Sequence, residues 1–117
     1  MSWTIILLPT VEGWIASLDQ AAEDAIYTDL AVLEEVGPQL GRPQVDTLNG
    51  STYSNMKELR THHVGHQFRI AFIFDPKRRG IVLTGGDKAG ANQKRFYATL
   101  IKQADRLYAA YLKQLKR

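Results

Sequence analysis

Residues 67–74, QFRIAFIF, decide the fold of this chain. Because successive side chains of a strand alternate between its two faces, the phenylalanines and Ile70 fall on one face and Arg69 on the other. A run this apolar predicts a central strand with a buried face. A turn at 75–80 and another apolar run at 81–84 follow directly, which predicts an antiparallel pair.

Apolar periodicity predicts the other elements on either side of this pair. A short apolar run that ends at a proline predicts a first strand, and apolar spacings of three and four residues predict helices. The predicted elements are a strand at 3–8, helices at 11–18 and 19–36, strands at 56–61, 67–74 and 81–84, and a helix at 92–115. Residues 39–55 are rich in Gly, Pro, Asn, Ser and Thr and predict a connecting loop, with room for a short strand near its end.

This order, strand-helix-helix-strand-strand-strand-helix, predicts a single α+β domain over residues 1–117. The last three strands should form a small antiparallel β-sheet because their connections are short. We expect the first strand to join the sheet at an edge or beside the last strand. The N-terminal helical hairpin should cover one face, and the C-terminal helix should pack elsewhere on the sheet.

Composition excludes several classes of protein. The 117 residues, 44% of them apolar, suffice for one domain with a real core. There is no cysteine, so disulfides and thiolate metal sites are excluded, which fits a cytoplasmic location. The apolar run at 5–8 is too short to span a membrane and lacks the basic start of a signal peptide.

The charge of the chain is split between its halves. Residues 1–50 hold eight acids and one base, or about −7, whereas residues 51–117 hold fourteen bases and four acids, or about +10. The net charge of +3 hides this division. We expect the acids to lie on the solvent face of the helical hairpin, and the basic half to hold something anionic.

Strand alternation selects candidate residues from the basic half. If Ile70 faces the core, Arg69 faces away from it, and Arg60 does the same on the neighbouring strand. Lys88 follows a Gly-Gly turn, and Lys94 and Arg95 open the last helix. These five cations are predicted to converge on one surface, where the planar fork of arginine suits phosphate.

Exposed cations also serve as solubilising charges at sheet edges. We prefer that interpretation for the turn residues Lys77, Arg78 and Arg79, and a functional one for Arg69. The glycine-rich segment 85–90 lacks the spacing of a nucleotide-binding loop, so nucleotide binding is rejected. It is either a turn whose N–H groups approach a phosphate or a flexible turn that caps the last helix.

Two further groups of side chains have alternative interpretations. His62, His63 and His66 surround a hairpin turn without a completing carboxylate or cysteine, so we interpret them as exposed turn residues rather than a metal site. One of them is also a candidate proton-transfer group beside the cations. Tyr97 lies off the core stripe of the last helix. It either packs against a sheet edge, stacks on a base, or moves a proton if its pKa is lowered.

The chain resembles the RelE/ParE superfamily of toxins, in its HigB-like branch. No single motif carries the resemblance, but the order and spacing of several motifs do, over nearly the whole chain. The motifs lie at residues 41–43 (GRP), 55–60 (NMKELR), 68–76 (FRIAFIFDP), 83–88 (LTGGDK) and 104–108 (ADRLY). Many relatives carry Trp-Tyr where this chain has Phe96 and Tyr97, which is a mild departure.

The resemblance implies a RelE-like fold and the toxin of a type II toxin–antitoxin pair that cuts mRNA on the ribosome. The implied reaction needs neither metal nor cofactor: the RNA 2′-hydroxyl attacks the adjacent phosphate. The implied partners are the ribosome, mRNA and an antitoxin, typically a small helix-turn-helix DNA-binding protein, without a membrane.

The resemblance also implies roles for individual residues. The catalytic set would be Arg69, which stabilises the phosphate, with Arg60, Lys88 and Tyr97. RNA-binding roles would fall to Lys94, Arg95, Lys57 and His66. The same fold also occurs in ParE-like inhibitors that bind DNA gyrase, and a non-catalytic RNA-binding module is a third hypothesis.

Overall fold

A computed structural model describes residues 2–116 and contains a sheet with helices on both faces. The elements are β1 (Ile5–Leu7), α1 (Pro9–Ala16), α2 (Gln20–Val36), β2 (Val45–Thr47), β3 (Lys57–His63), β4 (His66–Phe74), β5 (Gly80–Asp87) and α3 (Gln93–Leu115). The predicted α+β class is confirmed.

The described strands form one sheet in the order β1-β5-β4-β3-β2. As predicted, β3, β4 and β5 form an antiparallel meander and β1 lies at an edge beside β5. Two details differ from the sequence prediction. The β1–β5 pair is parallel, so the sheet is mixed, and β2 adds a fifth strand inside the stretch predicted as a loop.

The apolar alternation of β4 supplies a core on each side of the sheet. Phe68, Ile70 and Phe72 pack under α1 and α2, whereas Ala71 and Ile73 pack under α3. All five side chains are buried. Arg69 belongs by alternation to the α3 side, and this places a cation inside a largely apolar layer.

Side chains at the helix ends explain where the two long helices begin and end. Asp19 accepts a hydrogen bond from the backbone N–H of Ala22 at 2.9 Å and starts α2. Asn92 does the same for Arg95 at 3.0 Å and starts α3. Gly37, with φ of 73°, ends α2, and a Cβ there would collide with the Trp3 indole.

Most acids of the first half lie, as predicted, on the outer side of the helical hairpin, where Asp24, Glu34 and Glu35 are exposed. Asp29 departs from the prediction because it accepts a 2.7 Å hydrogen bond from the Thr61 hydroxyl on β3. Asp46 departs further, since it lies on β2, the edge strand beside β3, and not on the hairpin. Within residues 2–116, no helix has the length and apolar character to cross a bilayer.

Candidate functional site

Arg60 and Arg69 lie directly opposite each other on β3 and β4, on the sheet face that α3 covers. The prediction that the two guanidinium groups lie side by side on one face is therefore confirmed, but only that of Arg60 emerges there. Their exposure differs, however. The Arg60 side chain is 30% exposed and that of Arg69 only 5%, because the first turns of α3 lie over Arg69.

Arg69 is held in a buried cluster that we call the Glu58 triad, made of Glu58, Arg69 and Tyr97. The Arg69 Nε donates to the Tyr97 hydroxyl at 3.3 Å, and that hydroxyl donates to Glu58 Oε1 at 2.8 Å. Arg69 Nε also lies 3.7 Å from Glu58 Oε1, and its Nη1 donates to the carbonyl of Phe68. Two strands and a helix thus fix one tyrosine hydroxyl between a carboxylate and a guanidinium.

Arg60 is shared between two carboxylates. Its Nη2 lies 3.2 Å from both Glu58 Oε2 and Asp46 Oδ2. Asp46 also pairs with the exposed Arg42 at 2.9 Å. Hydrogen bonds from Arg42 and from the Thr47 N–H, aided by the charges of both arginines, hold the pKa of Asp46 below its usual range despite partial burial. An acid from the acidic half thus neutralises part of the basic cluster.

Lys88 completes the cluster from the segment after β5. Its Nζ lies 5.8 Å from the centre of the Tyr97 ring, close enough for a cation–π contact. Burial and the positive charges of Arg69 and Arg60 lower the pKa of Lys88, while Glu58 opposes them. A lysine with a lowered pKa releases its proton more readily, which suits a general acid.

A groove of about 300 Å³ opens between β2, β3 and the start of α3. Glu58, Arg60, Lys88 and Tyr97 line one part of it, and Asp46 lies at its β2 edge. Arg69 is not among the lining residues. It lies behind the groove wall and reaches it through Glu58 and Tyr97.

The Tyr97 hydroxyl is not prepared to ionise. Its pKa is raised, first by burial and then by the hydrogen bond to Glu58, while Arg69 opposes both effects. The proton-transfer role considered for Tyr97 required a lowered pKa, and the pKa of Tyr97 is raised instead. A neutral hydroxyl that already donates to a carboxylate can still pass a proton along that hydrogen bond.

Four residues predicted to bind RNA lie outside this cluster. Lys57 points to the α2 side of the sheet, donates to the Thr47 hydroxyl at 3.0 Å and lines a cavity with Leu40 and Phe72. Alternation from Leu59 would have placed Lys57 there, a signal that the sequence prediction missed. Lys94 and Arg95 are exposed on the first turn of α3.

His66, the fourth of these residues, is engaged by its own neighbours. Its Nδ1 lies 2.6 Å from Asp87 Oδ2, and its ring stacks on those of Phe68 and His63. The prediction that the three histidines are exposed turn residues is wrong: His62 is exposed but lies in β3, and His63 and His66 are half-buried strand residues. Across residues 2–116, no group of three or more His, Cys, Asp or Glu side chains is arranged to hold a metal ion.

Lys77 is exposed, as predicted for a solubilising turn charge. Arg79, for which the same was predicted, is half-buried and bound to other side chains. Arg79 donates to the buried Asp75 through Nε at 3.1 Å and Nη2 at 2.8 Å. Tyr111 also donates to Asp75 at 2.8 Å and accepts from Arg79 at 2.7 Å. We call this set the Asp75 triad; a fully buried carboxylate requires such partners.

Sequence reasoning did not count Glu58 and Asp46 as members of the site. For Glu58 the alternation that places Arg60 away from the core also places this carboxylate on the same face, but no role was assigned to it. For Asp46 there was none, since its place depends on the pairing of a three-residue strand with β3.

Comparison with known proteins identifies relatives over most of the chain. It is 50% identical over 101 residues to a protein of Mycobacterium tuberculosis (strain ATCC 25618 / H37Rv) named "Putative toxin HigB3", covering 86% of each. It is 42% identical over 107 residues to "Putative toxin HigB2" of the same organism, covering 91% of this chain and 53% of that protein. The chain thus spans about half the length of the second relative. Residues 13–109 match the family described as "Phage derived protein Gp49-like (DUF891)", and the chain belongs to that family.

Proposed function

We propose that this protein is the toxin of a type II toxin–antitoxin system, of the RelE superfamily, and that it cleaves mRNA on the ribosome. The observation that carries the proposal is the Glu58 triad beside Lys88 and Arg60 in one groove. The names of its two relatives support the toxin assignment. The enzymatic activity rests on the geometry of the groove and on the resemblance of the sequence.

The groove holds groups for each part of the cleavage reaction. The 2′-oxygen of the RNA attacks phosphorus as its proton passes to the Tyr97 oxygen, and the proton of Tyr97 moves to Glu58 along their 2.8 Å hydrogen bond. The bond to the 5′-oxygen breaks as Lys88 gives that oxygen a proton. The products are a 2′,3′-cyclic phosphate and a free 5′-hydroxyl, and Tyr97 stays neutral throughout.

The cations neutralise the charge that develops on the phosphate. Arg60 and Lys88 face the groove and would contact the phosphate oxygens. Arg69 would act from behind, by holding the carboxylate of Glu58 and the hydroxyl of Tyr97 in place. The exposed Lys94 and Arg95 would bind flanking RNA backbone at the start of α3.

The experiment measures cleavage of a defined mRNA on purified ribosomes, with a chemical test for the cyclic phosphate end. Because a general acid typically contributes about 10²- to 10⁴-fold, Lys88→Ala should lose cleavage by that order. Lys77→Ala, which removes the same charge from an exposed turn, is the matched control and should cleave like the wild type.

Two alternative activities provide outcomes that would overturn the proposal. Inhibition of gyrase supercoiling without mRNA cleavage would assign the protein to the ParE-like class. Salt-sensitive RNA binding by the wild type without cleavage on ribosomes would leave a binding module.

The toxin assignment implies an antitoxin partner. We expect a short adjacent reading frame, with a helix-turn-helix pattern, to restore growth when it is expressed together with the toxin. If growth arrest persists with every adjacent frame, that part of the proposal fails.

A further inference from the structure

We propose that Asp87, held by His66, is a positioning residue that fixes Lys88 at the groove. This inference rests on the proposed function, because it concerns how the cation assigned as the proton donor is placed. Neither residue lines the groove. Both lie at the point where β4 begins and β5 ends.

The Asp87 carboxylate binds three groups around Lys88. Oδ1 accepts from the backbone N–H of Gln67 at 3.0 Å and from that of Ala89 at 2.9 Å. Oδ2 lies 2.6 Å from His66 Nδ1. Lys88 itself donates its backbone N–H to the Gln67 carbonyl at 2.8 Å. The residues before and after Lys88 are thus tied together by one carboxylate, and Lys88 is tied to β4.

These contacts differ from those of an ordinary surface ion pair. Burial tends to raise the pKa of Asp87, but the hydrogen bonds from His66, Gln67 and Ala89 outweigh it and the pKa is lowered. The His66 ring is in turn held by stacking on Phe68, whose side chain belongs to the core under α1. The chain of contacts therefore runs from the rigid core through His66 and Asp87 to the segment that carries Lys88.

The consequence lies in the direction of the lysine side chain. Lys88 must extend over the Tyr97 ring to approach Arg69 and Arg60, two like charges that oppose its approach. Without a fixed backbone, repulsion and hydration would favour a lysine that extends into water. The Asp87 contacts fix the backbone segment from which this side chain extends.

The first measurement is the titration of the Lys88 side chain by NMR, using lysine labelled with ¹³C and ¹⁵N. In Asp87→Ala the pKa of Lys88 should rise toward the ordinary value for lysine, because the side chain leaves Arg69 and Arg60. Asp87→Asn, which keeps an acceptor for the two backbone N–H groups, should give a smaller rise and covers the case in which the alanine variant does not fold.

The second measurement determines two quantities: the cleavage rate at saturating ribosome concentration, and the ribosome concentration at which the rate is half of that maximum. Misplacement of a general acid should lower the rate by about 10- to 100-fold in Asp87→Ala and leave the half-saturating concentration nearly unchanged. Asp105→Ala is the matched control. That aspartate likewise binds one side chain and the backbone, through the Ser51 hydroxyl and the Thr52 N–H, but lies away from the groove.

The outcomes separate this inference from the proposed function. If the wild type does not cleave but the Lys88 titration moves in Asp87→Ala, the positioning role holds and the proposed function fails. If the wild type cleaves and Asp87→Ala matches it in rate and in the Lys88 titration, the positioning role is wrong. Equal losses of activity in the Asp87 and Asp105 variants, with Lys88 titrating normally, would reduce Asp87 to a structural residue.

Discussion

The side of α3 that faces the sheet contacts it through two triads, each made of a carboxylate, an arginine and a tyrosine. In the Glu58 triad, near the start of the helix, Tyr97 donates to a carboxylate and accepts from Arg69. In the Asp75 triad, fourteen residues along the same helix, Tyr111 donates to a carboxylate and accepts from Arg79. Residue types alone therefore do not distinguish a candidate active site from a structural tie.

The neighbours of each carboxylate make the difference. Asp75 Oδ1 accepts from the backbone N–H groups of Lys77 and Arg79, and Oδ2 from the Arg79 and Tyr111 side chains, so the carboxylate is fully used within its triad and turn. Glu58 instead faces a groove and adds Arg60 and Lys88 to its surroundings. Burial of the carboxylates does not separate them, because the Glu58 side chain is 4% exposed and the Asp75 side chain 0%. Surplus positive charge beside an open groove distinguishes the Glu58 triad.

The largest effect we expect is on stability, from breaking the Asp75 triad. Asp75→Ala removes the acceptor of five hydrogen bonds and leaves Arg79 and two backbone N–H groups without it. Leaving several donors without their acceptor at once should cost more than a single unsatisfied group, which costs about 1–3 kcal/mol. Urea unfolding measures it, and the cleavage rate of the fraction that stays folded should equal that of the wild type.

A loss of cleavage in folded Asp75→Ala would contradict the division between the triads. The matched control is Asp105→Ala. It also removes a carboxylate, but this one is half-buried and accepts fewer hydrogen bonds than Asp75. It should cost about 1–3 kcal/mol, clearly less than the Asp75 variant.

The second prediction neutralises the Glu58 triad. In Glu58→Gln/Arg69→Met both buried charges disappear together, and replacing a buried pair by neutral groups of similar volume is often close to neutral in stability. The fold should therefore survive, whereas cleavage should fall by about 10²-fold or more because Tyr97 loses its proton acceptor.

The same exchange at the other end of the helix sharpens the comparison. Asp75→Asn/Arg79→Met removes the equivalent charges, and its cleavage rate should match that of the wild type. Equal cleavage losses in the two double variants would mean that α3 docking, and not the Glu58 triad, limits the reaction.

Alternation along the strands predicted half of this arrangement. It placed Arg69 and Arg60 on one face correctly, because a strand of period two leaves no other choice once Ile70 is buried. Applied to Lys57 it would also have excluded that residue, which lies on the other face. The helical period placed Tyr97 off the core stripe, whereas its ring packs, half-buried, against the core under α3 and its hydroxyl meets Glu58.

The remainder depends on contacts between distant parts of the chain. Asp46 contacts Arg60 because it lies on β2, a strand of three residues whose sequence shows no apolar alternation. Arg79 meets Tyr111 across 32 positions, so its turn sequence alone indicates only an exposed cation. Such pairings follow from how α3 crosses the sheet, which local patterns do not encode.

The third prediction compares the two tyrosines. Tyr97→Phe removes the hydroxyl of the Glu58 triad and should reduce cleavage by about 10²-fold, the low end of the usual contribution of a proton-transfer group. Tyr111→Phe should leave cleavage unchanged and cost about 1.5–3 kcal/mol, the usual net value of a hydrogen bond to a charged group. Each variant controls for the other, since both remove one oxygen from the same helix. Equal cleavage by the two variants would contradict the proton path through Tyr97.

The smallest effect we expect is a difference in alkaline stability. Burial and the hydrogen bond to Asp75 raise the pKa of Tyr111 to about 12, above the value of 10.0 for an ordinary tyrosine. A folded-state pKa above the unfolded value contributes stability that is fully present below pH 10 and is lost as the pH rises through 12. The free energy of unfolding of the wild type, minus that of Tyr111→Phe, should therefore fall over this window.

The same subtraction with Tyr97→Phe tests how Arg69 acts on its triad. The pKa of Tyr97 is also raised, by burial and Glu58, but Arg69 opposes this through both a hydrogen bond and its charge. Arg79 opposes the shift at Tyr111 chiefly through its charge. The alkaline loss should thus be smaller at Tyr97 than at Tyr111. Urea unfolding of the three proteins between pH 9 and 12 measures it, and an equal or larger loss at Tyr97 would mean that Arg69 does not act on that hydroxyl in solution.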